Sequence, residues 1–511
     1  MANVDYKRED YREALPGWQV CADATSDMLS DKMRTRHLPQ PNPEDKSKEN
    51  KERYKQYKQR ATWYGFTSRT LAGMVGAAFR KDPTIKLPTV IDYATTDIDS
   101  EGVGLVQQAQ RTLAGVLKKG RQGLYVDFPE NEGEISRATL VAQAMRPFVR
   151  SIDAEDIINW RTEQVGGRTV LTLVVIAETH EEQDDFGSTC IPQRRVLRLT
   201  AGVYSVELWR KEAGSDWTLA QGPIVPRKAD GTTFDHILFY FVGSENNDSS
   251  IDPAPLLDLA QLNLSHFRNS ADYEDACYIV GQPMAYMAGL DEQWVKMLDE
   301  KGLYLGSRAI LPLPAGGTAG IMQPAPNTMP MEAMKHKEAQ AVALGARLIE
   351  QNGAAKTATQ SSGEQNVQHS VLSLCVKNTT EAYLAAIEAM LEFAGGAGQS
   401  VEFMISTEFV ELRLEPQMLT ALIQAWQSGK FPETDLWAQL RKYGVIDPSK
   451  TDEDIKDELE ATAPTGPTLD PIGKGGAGDK LPADDKQQPG KPKRKIRLVR
   501  EGDGSVTAEE M

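Results

Sequence analysis

Apolar and β-branched residues cluster in short runs between Phe148 and about Val242. These runs have the length and composition of strands, and turn-forming residues separate them. The predicted strands are Thr169–Ile176, Arg195–Leu199, Val203–Trp209 and Ile237–Val242. The polar segment Glu181–Thr189 lies between the first two and predicts a solvated hairpin loop. We therefore expect a β-rich layer in this part of the chain.

Helical patterns dominate the segment before this layer. The dense charge run Lys46–Arg60 is typical of a solvated helix face. Thr62–Phe79 follows with apolar residues spaced for one helical face, and Lys81-Asp82-Pro83 ends it. Val106–Lys119 predicts another helix. Gly120–Phe128 predicts a turn that leads into a short buried strand.

Three long helices are predicted after the β-rich layer. Asp252-Pro253 introduces the first of them, because proline is tolerated at a helix start and disfavoured inside a helix. The three helices span Asp252–Tyr278, Met331–Gln351 and Asn366–Phe393. Gly395-Gly396 ends the third helix. Its apolar residues include Val371, Leu374, Tyr383, Ile387 and Met390.

Two segments of different character separate these helices. Gly281–Gln323 is mixed, and it predicts a short helix at Glu292–Asp299, a strand at Arg308–Leu313 and a turn at Gly316-Gly317. Asn352–Gln365 contains small and polar residues with almost nothing to bury. The second segment is therefore predicted to be a flexible loop.

The C-terminal part of the chain changes composition twice. Val401–Leu414 predicts a pair of strands, and Pro416–Glu460 predicts helical segments. From Ala461 onward the chain is rich in Pro, Gly, Lys and Asp and is predicted to be disordered. Lys491–Arg500 holds six basic residues within this tail. They are expected either to solubilise the tail or to contact DNA or a partner protein.

The charge balance restricts the possible partners. The 511 residues carry a formal net charge of −16, whereas proteins that coat DNA are usually basic. The chain therefore either does not bind nucleic acid or meets DNA without holding it. The four cysteines are far apart, which predicts reduced thiols in a cytosolic setting. Met1–Asp10 is too polar for a signal peptide, and no apolar run is long enough to span a membrane.

The sequence carries no catalytic motif. None of the six histidines lies in an HExxH frame, and neither GxSxG nor GxxxxGK[ST] occurs. The acidic segment Glu181–Thr189 lacks the ordered spacing of a calcium loop. A metal-dependent nuclease would need carboxylates that converge on a divalent ion, which a sequence cannot establish, so this alternative stays open. We predict that the chain is not an enzyme and has no catalytic, cofactor-binding or metal-binding residues.

Three strings of the chain are informative: Tyr57–Pro88, Asp153–Arg161 and Pro255–Leu290. They resemble strings of a known family, the portal proteins of tailed bacteriophages, long catalogued as a domain of unknown function. The order of predicted elements is also similar: a mixed α/β region, a long helix, a small mixed insert, a second long helix, a polar loop and a third long helix. The resemblance covers roughly residues 10 to 460. It implies an α+β fold whose subunits form a homo-oligomeric ring, typically a dodecamer.

The resemblance also implies a division of the chain into named parts. These are a mixed wing at 1–251, a first stem helix at 252–280, a small α/β clip at 281–323, a second stem helix at 324–351, a tunnel loop at 352–365, a long wing helix with strands at 366–415, a helical crown at 416–460 and a disordered tail at 461–511. The tunnel-loop residues expected to line a DNA channel are Lys356, Thr357, Gln360, Ser361 and Ser362. Lys356 is the only cation of this loop, and it either presents a positive collar around the ring or merely keeps the loop soluble.

The implied function is that of a portal ring at one vertex of the capsid, assembled in the host cytoplasm and retained in the virion. Double-stranded DNA would pass through its channel during packaging and ejection. The partners would be further copies of the chain, the major capsid protein, the terminase large subunit, which would hydrolyse ATP, and a head-completion or tail adaptor protein. An acidic channel wall would repel the duplex and let it slide. Two alternatives remain: another phage structural protein, such as a scaffold or minor capsid component, and the metal-dependent nuclease.

Overall fold

The computed structural model describes residues 3–28, 30–129, 145–183, 185–282, 284–301, 313–323, 325, 327–344, 358–407, 409, 416–430, 432–442, 445–447, 450–462, 496–500 and 506–510. The chain divides into two compact units, Met1–Glu411 and Leu412–Met511. Helices and strands are both abundant in the described residues. The fold is therefore of the mixed α+β class, as predicted.

Helices of very different length make up the helical part. In the first unit they are α1 (Glu9–Ala24), α2 (Asp31–His37), α3 (Lys48–Arg60), α4 (Phe66–Ala78), α5 (Leu105–Lys119), α6 (Leu257–Val280), α7 (Glu292–Lys301), α8 (Met329–Ala343) and α9 (Ala358–Ala394). In the second unit they are α10 (Pro416–Gln427), α11 (Glu433–Lys442) and α12 (Asp452–Thr462). Short 3-10 turns occur at Thr89–Thr95 and Ala154–Asp156.

The strands form small antiparallel sheets. They are β1 (Thr84–Lys86), β2 (Arg121–Asp127), β3 (Phe148–Asp153), β4 (Ile157–Val165), β5 (Arg168–Gln183), β6 (Ser188–Thr200), β7 (Val203–Arg210), β8 (Thr218–Ile224), β9 (Phe239–Gly243), β10 (Met284–Ala288), β11 (Thr318–Met322), β12 (Glu402–Met404), β13 (Ile496–Arg500) and β14 (Val506–Glu510). The four strands predicted between Phe148 and Val242 are all present, and β5 and β6 extend well beyond their predicted ends.

A three-stranded sheet lies at the centre of the first unit. Its order is β3-β2-β9, so β2 has a partner on each side. Leu124, Tyr125 and Val126 of β2 are buried. Helices α5 and α9 pack on this sheet and on each other. The Tyr383 hydroxyl of α9 donates to Gln108 Oε1 of α5 at 3.1 Å. This sheet and the two helices form the main apolar core.

A five-stranded sheet extends from this core. Its order, β4-β5-β6-β7-β8, follows the chain, and every pair is antiparallel. Strand β4 accompanies β5 only as far as Ile176, and β7 accompanies β6 only from Gln193 onward. Beyond these points the two central strands pair with each other alone. The predicted solvated hairpin loop is thus the tip of a long two-stranded projection.

Helix α9 is the longest element, with 37 residues and a length of about 55 Å. Its buried face includes Leu372, Val376 and Tyr383, which recur at helical spacing. Val371 and Leu374, predicted as apolar residues of this helix, lie outside that face and are 38% and 40% exposed. The sheet against which α9 packs determines which of its apolar residues are buried. The sequence pattern of the helix does not specify where that sheet lies.

Three predictions differ from the structure, and two others fall partly or almost wholly outside the described residues. Helix α9 begins at Ala358, so residues 358–365 of the predicted tunnel loop are helical. Only one strand is described in Val401–Leu414, and it pairs with β1 far away in sequence. The tail predicted to be disordered contains an antiparallel hairpin of β13 and β14, where Ile496, Leu498 and Val499 favour a strand. Helix α8, predicted as the second stem helix, begins at Met329 and is described only to Ala343, and the predicted strand Arg308–Leu313 lies almost wholly outside the described residues.

A closely packed backbone contact connects the core to helix α6. Gly120 follows α5 with a φ of +69°, and a Cβ at this position would lie 2.3 Å from the carbonyl oxygen of Asp252. The Asp252 carboxylate accepts hydrogen bonds from the backbone N–H groups of Glu245 and Asn246 at 2.7 and 3.1 Å. The segment that enters α6 is therefore held against the start of β2. Only glycine fits at position 120 without moving it.

Replacement of Gly120 by alanine is expected to lower the free energy of unfolding by about 3 kcal/mol, because the left-handed backbone and the steric overlap with Asp252 both oppose a Cβ. Gly214→Ala is the matched control, since Gly214 has a φ of +81° but no atom within 4 Å of its Cβ position. The control is expected to cost about 1 to 2 kcal/mol. Urea unfolding followed by circular dichroism measures both, and equal losses would contradict the role of this backbone contact.

Candidate functional site: the stem helices and the hairpin between them

Helices α6 and α8 form a packed pair. The chain leaves α6, enters β10, returns through β11 and then begins α8. Because Met284 of β10 pairs with Met322 of β11, the end of α6 and the start of α8 lie near the same end of this small hairpin. The two helices are therefore antiparallel. The arrangement is a helix, a small mixed insert and a returning helix, in the order predicted for the two stem helices and the clip.

His266 lies at the centre of the contact between these helices. Its side chain is fully buried, and its Nε2 atom is 3.3 Å from Glu338 Oε1 of α8. The rings of Tyr64 and Phe66 meet the imidazole with centroids 5.0 and 4.9 Å away. Burial lowers the pKa of His266, although Glu338 opposes the shift. The neutral imidazole is therefore the form that fits this contact.

Lys337 provides a second contact between the same helices. Its ammonium group donates to the Ser265 carbonyl oxygen at 3.1 Å and to Asn269 Oδ1 at 2.9 Å. Burial lowers the pKa of Lys337, and Arg268 lowers it further. Because its partners are neutral oxygens, the amine fastens α8 to α6 without a buried ion pair.

The N-terminal helices are attached to the same stem helix. Tyr57 donates to Asp272 Oδ1 at 2.8 Å. Asp275 pairs with Arg60 at 3.1 Å and with Arg53 at 3.3 Å. The Arg60 guanidinium also stacks on Tyr278, with its carbon 3.5 Å from the ring centre. The charge run predicted to be a solvated face is thus solvated on one side only, since the other side is docked on α6.

The insert between the stem helices carries apolar side chains that face solvent. Ile321 is 69% exposed, Met322 57%, Met329 70% and Tyr286 47%. They are close together in the chain's path through β10, β11 and the start of α8. Scattered apolar residues are common on protein surfaces, but contiguous ones mark contacts with other molecules. This insert is the strongest candidate for a surface that another chain covers.

The structure brings together only part of the predicted channel site. Lys356 and Thr357 lie outside the described residues. Gln360, Ser361 and Ser362 lie on helix α9. The assignment of these five residues to a DNA channel stays a prediction.

The contacts around His266, Asp272 and Asp275 were not predicted from the sequence. Their partners lie 72 to more than 200 residues away, so no local pattern contains them. The sequence of this helix mixes polar and apolar residues throughout, so it does not single these positions out.

No metal or membrane feature emerges from the described residues. Within them, no group of three or more His, Cys, Asp or Glu side chains is placed to hold a metal ion. In the same residues, every helix falls short of the length and apolarity that a membrane span requires. The prediction that the chain is not an enzyme stays a prediction.

Comparison with known proteins gives a family match and a structural likeness. A family model described as a domain of unknown function (DUF4055) matches residues 255–394, the region from α6 through α9. No curated protein matches the sequence. The fold is similar, with 14% identity and a TM-score of 0.39, to a chain in a structure described as the neck of an empty GTA particle computed with C6 symmetry. The aligned region covers 76% of this chain and 92% of that chain.

Stability is expected to fall as the pH falls through the range in which His266 titrates. The unfolded chain takes up a proton near the ordinary value of 6.5, whereas the folded chain resists protonation because its imidazole is buried. The contribution of the neutral imidazole is therefore fully present above pH 6.5 and is lost progressively below it. In His266→Gln this component of the pH dependence should disappear. Thermal unfolding between pH 7.5 and 5.5 measures it, and an unchanged slope in the variant would contradict the assignment.

Asp275→Asn is expected to loosen helix α3 without unfolding the core, because the charge that pairs with two arginines is removed while the shape is kept. Amide hydrogen exchange in residues 48–60 should become about tenfold faster, equivalent to about 1.4 kcal/mol of local stability. Asp258→Asn is the control, since Asp258 is exposed on the same helix and has no ion pair among the described residues. Equal protection of α3 in both variants would show that the ion pairs do not hold it.

Proposed function

We propose that this chain is the portal subunit of a tailed bacteriophage or a phage-like particle. Its copies form a ring at one capsid vertex, and double-stranded DNA passes through the ring during packaging and ejection. The observation that carries the proposal is the excursion from α6 through the small hairpin to α8, with apolar side chains exposed along it. The order of elements that resembles the portal family supports the same conclusion.

The exposed apolar residues support assembly in particular. Ile321, Met322 and Met329 would remain in water if the chain acted alone. Burial of such side chains contributes roughly 1.5 to 3 kcal/mol each, so contact between copies would stabilise the assembly substantially. A closed ring uses two different faces of each subunit, and a helix pair with a projecting hairpin presents such faces.

The acidity of the chain fits a conduit better than a DNA-binding protein. A net charge of −16 repels phosphates, so a duplex inside an acidic ring would meet little adhesion. In this proposal Lys356 of the tunnel loop supplies a local positive collar. The partners would be the terminase large subunit and later a tail adaptor at the clip, with the major capsid protein around the wing. The chain itself would perform no chemistry, and ATP hydrolysis would belong to the terminase.

Purified wild-type chain is expected to form rings of about a dozen subunits with a central channel, visible by negative-stain electron microscopy and consistent with the mass from light scattering. Ile321→Glu should reduce ring formation, because it places a charge in the apolar contact. Val165→Glu is the control, since Val165 is 57% exposed but lies at the turn between β4 and β5, away from the insert.

Two outcomes would contradict the proposal. One is a wild-type chain that remains monomeric at every concentration and salt level, including in the presence of capsid protein. The other is cleavage of duplex DNA by the purified chain with Mg²⁺ or Mn²⁺, which would favour the nuclease alternative.

A further inference from the structure

The β5–β6 hairpin projects from the sheet without support from its own neighbours. Residues 180–183 of β5 and 188–191 of β6 pair only with each other, because β4 ends at the partner of Ile176 and β7 pairs with β6 from Gln193 onward. An isolated two-stranded hairpin is marginal in water, and its free edges invite other chains. Contact with a surface outside its own sheet would therefore stabilise this projection.

The base of this hairpin is fixed. Glu178 accepts hydrogen bonds from Arg195 at 2.9 Å, Gln193 at 3.0 Å and Arg150 at 3.2 Å. The Glu178 and Arg195 side chains are 9% and 11% exposed, so solvent screens this pair weakly. The projection consequently leaves the sheet in a defined direction.

The tip of the hairpin carries exposed acidic side chains on both faces of β5. Glu181 and Glu182 are neighbours on β5, so their side chains point to opposite faces. Asp185 adds a charge at the turn. All three residues are exposed, and Glu182 has only His180, 4.0 Å away, as an ion-pair partner among the described residues.

Helix α3 presents the opposite charge. Lys48, Lys51 and Lys55 recur at three- and four-residue spacing, which places them on one face, and all are exposed. The opposite face of α3 is docked through Tyr57 and Arg60 on α6. The lysine face is thus held rigidly outward. No ion pair among the described residues joins it to Glu181 or Glu182 of the same chain.

We infer that the β5–β6 tip of one copy docks on the lysine face of α3 in the next copy. The inference rests on the proposed ring, which requires two different and complementary faces on each subunit. Charge complementarity favours a second copy over DNA, because the acidic tip belongs to the same chain and the net charge of −16 opposes a phosphate partner. The contact adds an electrostatic interface to the apolar one at the insert.

Charge reversal on either side tests this contact. Glu181→Lys/Glu182→Lys and Lys51→Glu/Lys55→Glu are each expected to raise the concentration needed for half-maximal assembly by about tenfold or more, as measured by light scattering. An equimolar mixture of the two reversed chains should assemble like the wild type, because every contact in an alternating ring is again between opposite charges. Circular dichroism and thermal unfolding confirm that each variant is folded.

Matched controls separate the contact from a general change in charge. Glu101→Lys/Glu163→Lys and Lys430→Glu/Lys456→Glu make the same charge changes at exposed positions elsewhere and should leave assembly unchanged. If the reversed chains assemble like these controls, or if their mixture fails to recover, the inference is wrong while the ring stands. Wild-type chains that never assemble contradict the ring and the contact together. Binding of a labelled DNA duplex that is lost only in Lys51→Glu/Lys55→Glu would assign the lysine face to nucleic acid instead.

Discussion

The close approach of the Asp252–Pro253 segment to Gly120 fixes the start of helix α6 against the core sheet. The Asp252 carboxylate accepts hydrogen bonds from two backbone N–H groups of the preceding turn. The carbonyl oxygens of Asp252 and Pro253 lie so close to Gly120 that a Cβ there would overlap them. Helix α6 begins directly after this segment. The position of its first turn is therefore fixed relative to β2, the central strand of the sheet. The helices that pack on α6 are positioned through it.

The kind of polar contact along α6 varies with the solvent exposure of the side chains. His266 is neutral where the packing is tight, and Lys337 fastens α8 through carbonyl and amide oxygens. Asp272 and Asp275 hold helix α3 at the part of α6 that solvent partly reaches. Charges are thus paired where screening is weak, and the exposed lysines of α3 face outward, with Lys55 4.0 Å from Glu52 of the same helix. The same rule explains why the acidic hairpin tip stays in solvent in a single copy.

Exposed apolar side chains at the insert and along the outer side of α9 complement this pattern. The apolar side chains of Tyr286, Ile321 and Met329 are exposed to solvent at the insert. Val371 and Leu374 of α9 lie outside the face that packs on the sheet. A chain that buries its core efficiently yet leaves these residues in water is built for contact with other molecules. The proposed ring accounts for both features, through an apolar contact at the insert and an electrostatic contact between the hairpin tip and α3.

The sequence alone determined the α+β class, the order of the long helices, and most strands of the β-rich layer, because these depend on local periodicity and on turn residues. It also identified the insert between the stem helices, since its composition differs from that of its flanks. Only the tertiary structure decided that β1 pairs with β12, that α9 buries Leu372 and leaves Val371 exposed, and that Asp275 holds Arg53 and Arg60. These features join residues far apart in the chain. Their energies depend on distances that exist only after folding, so no local pattern could contain them.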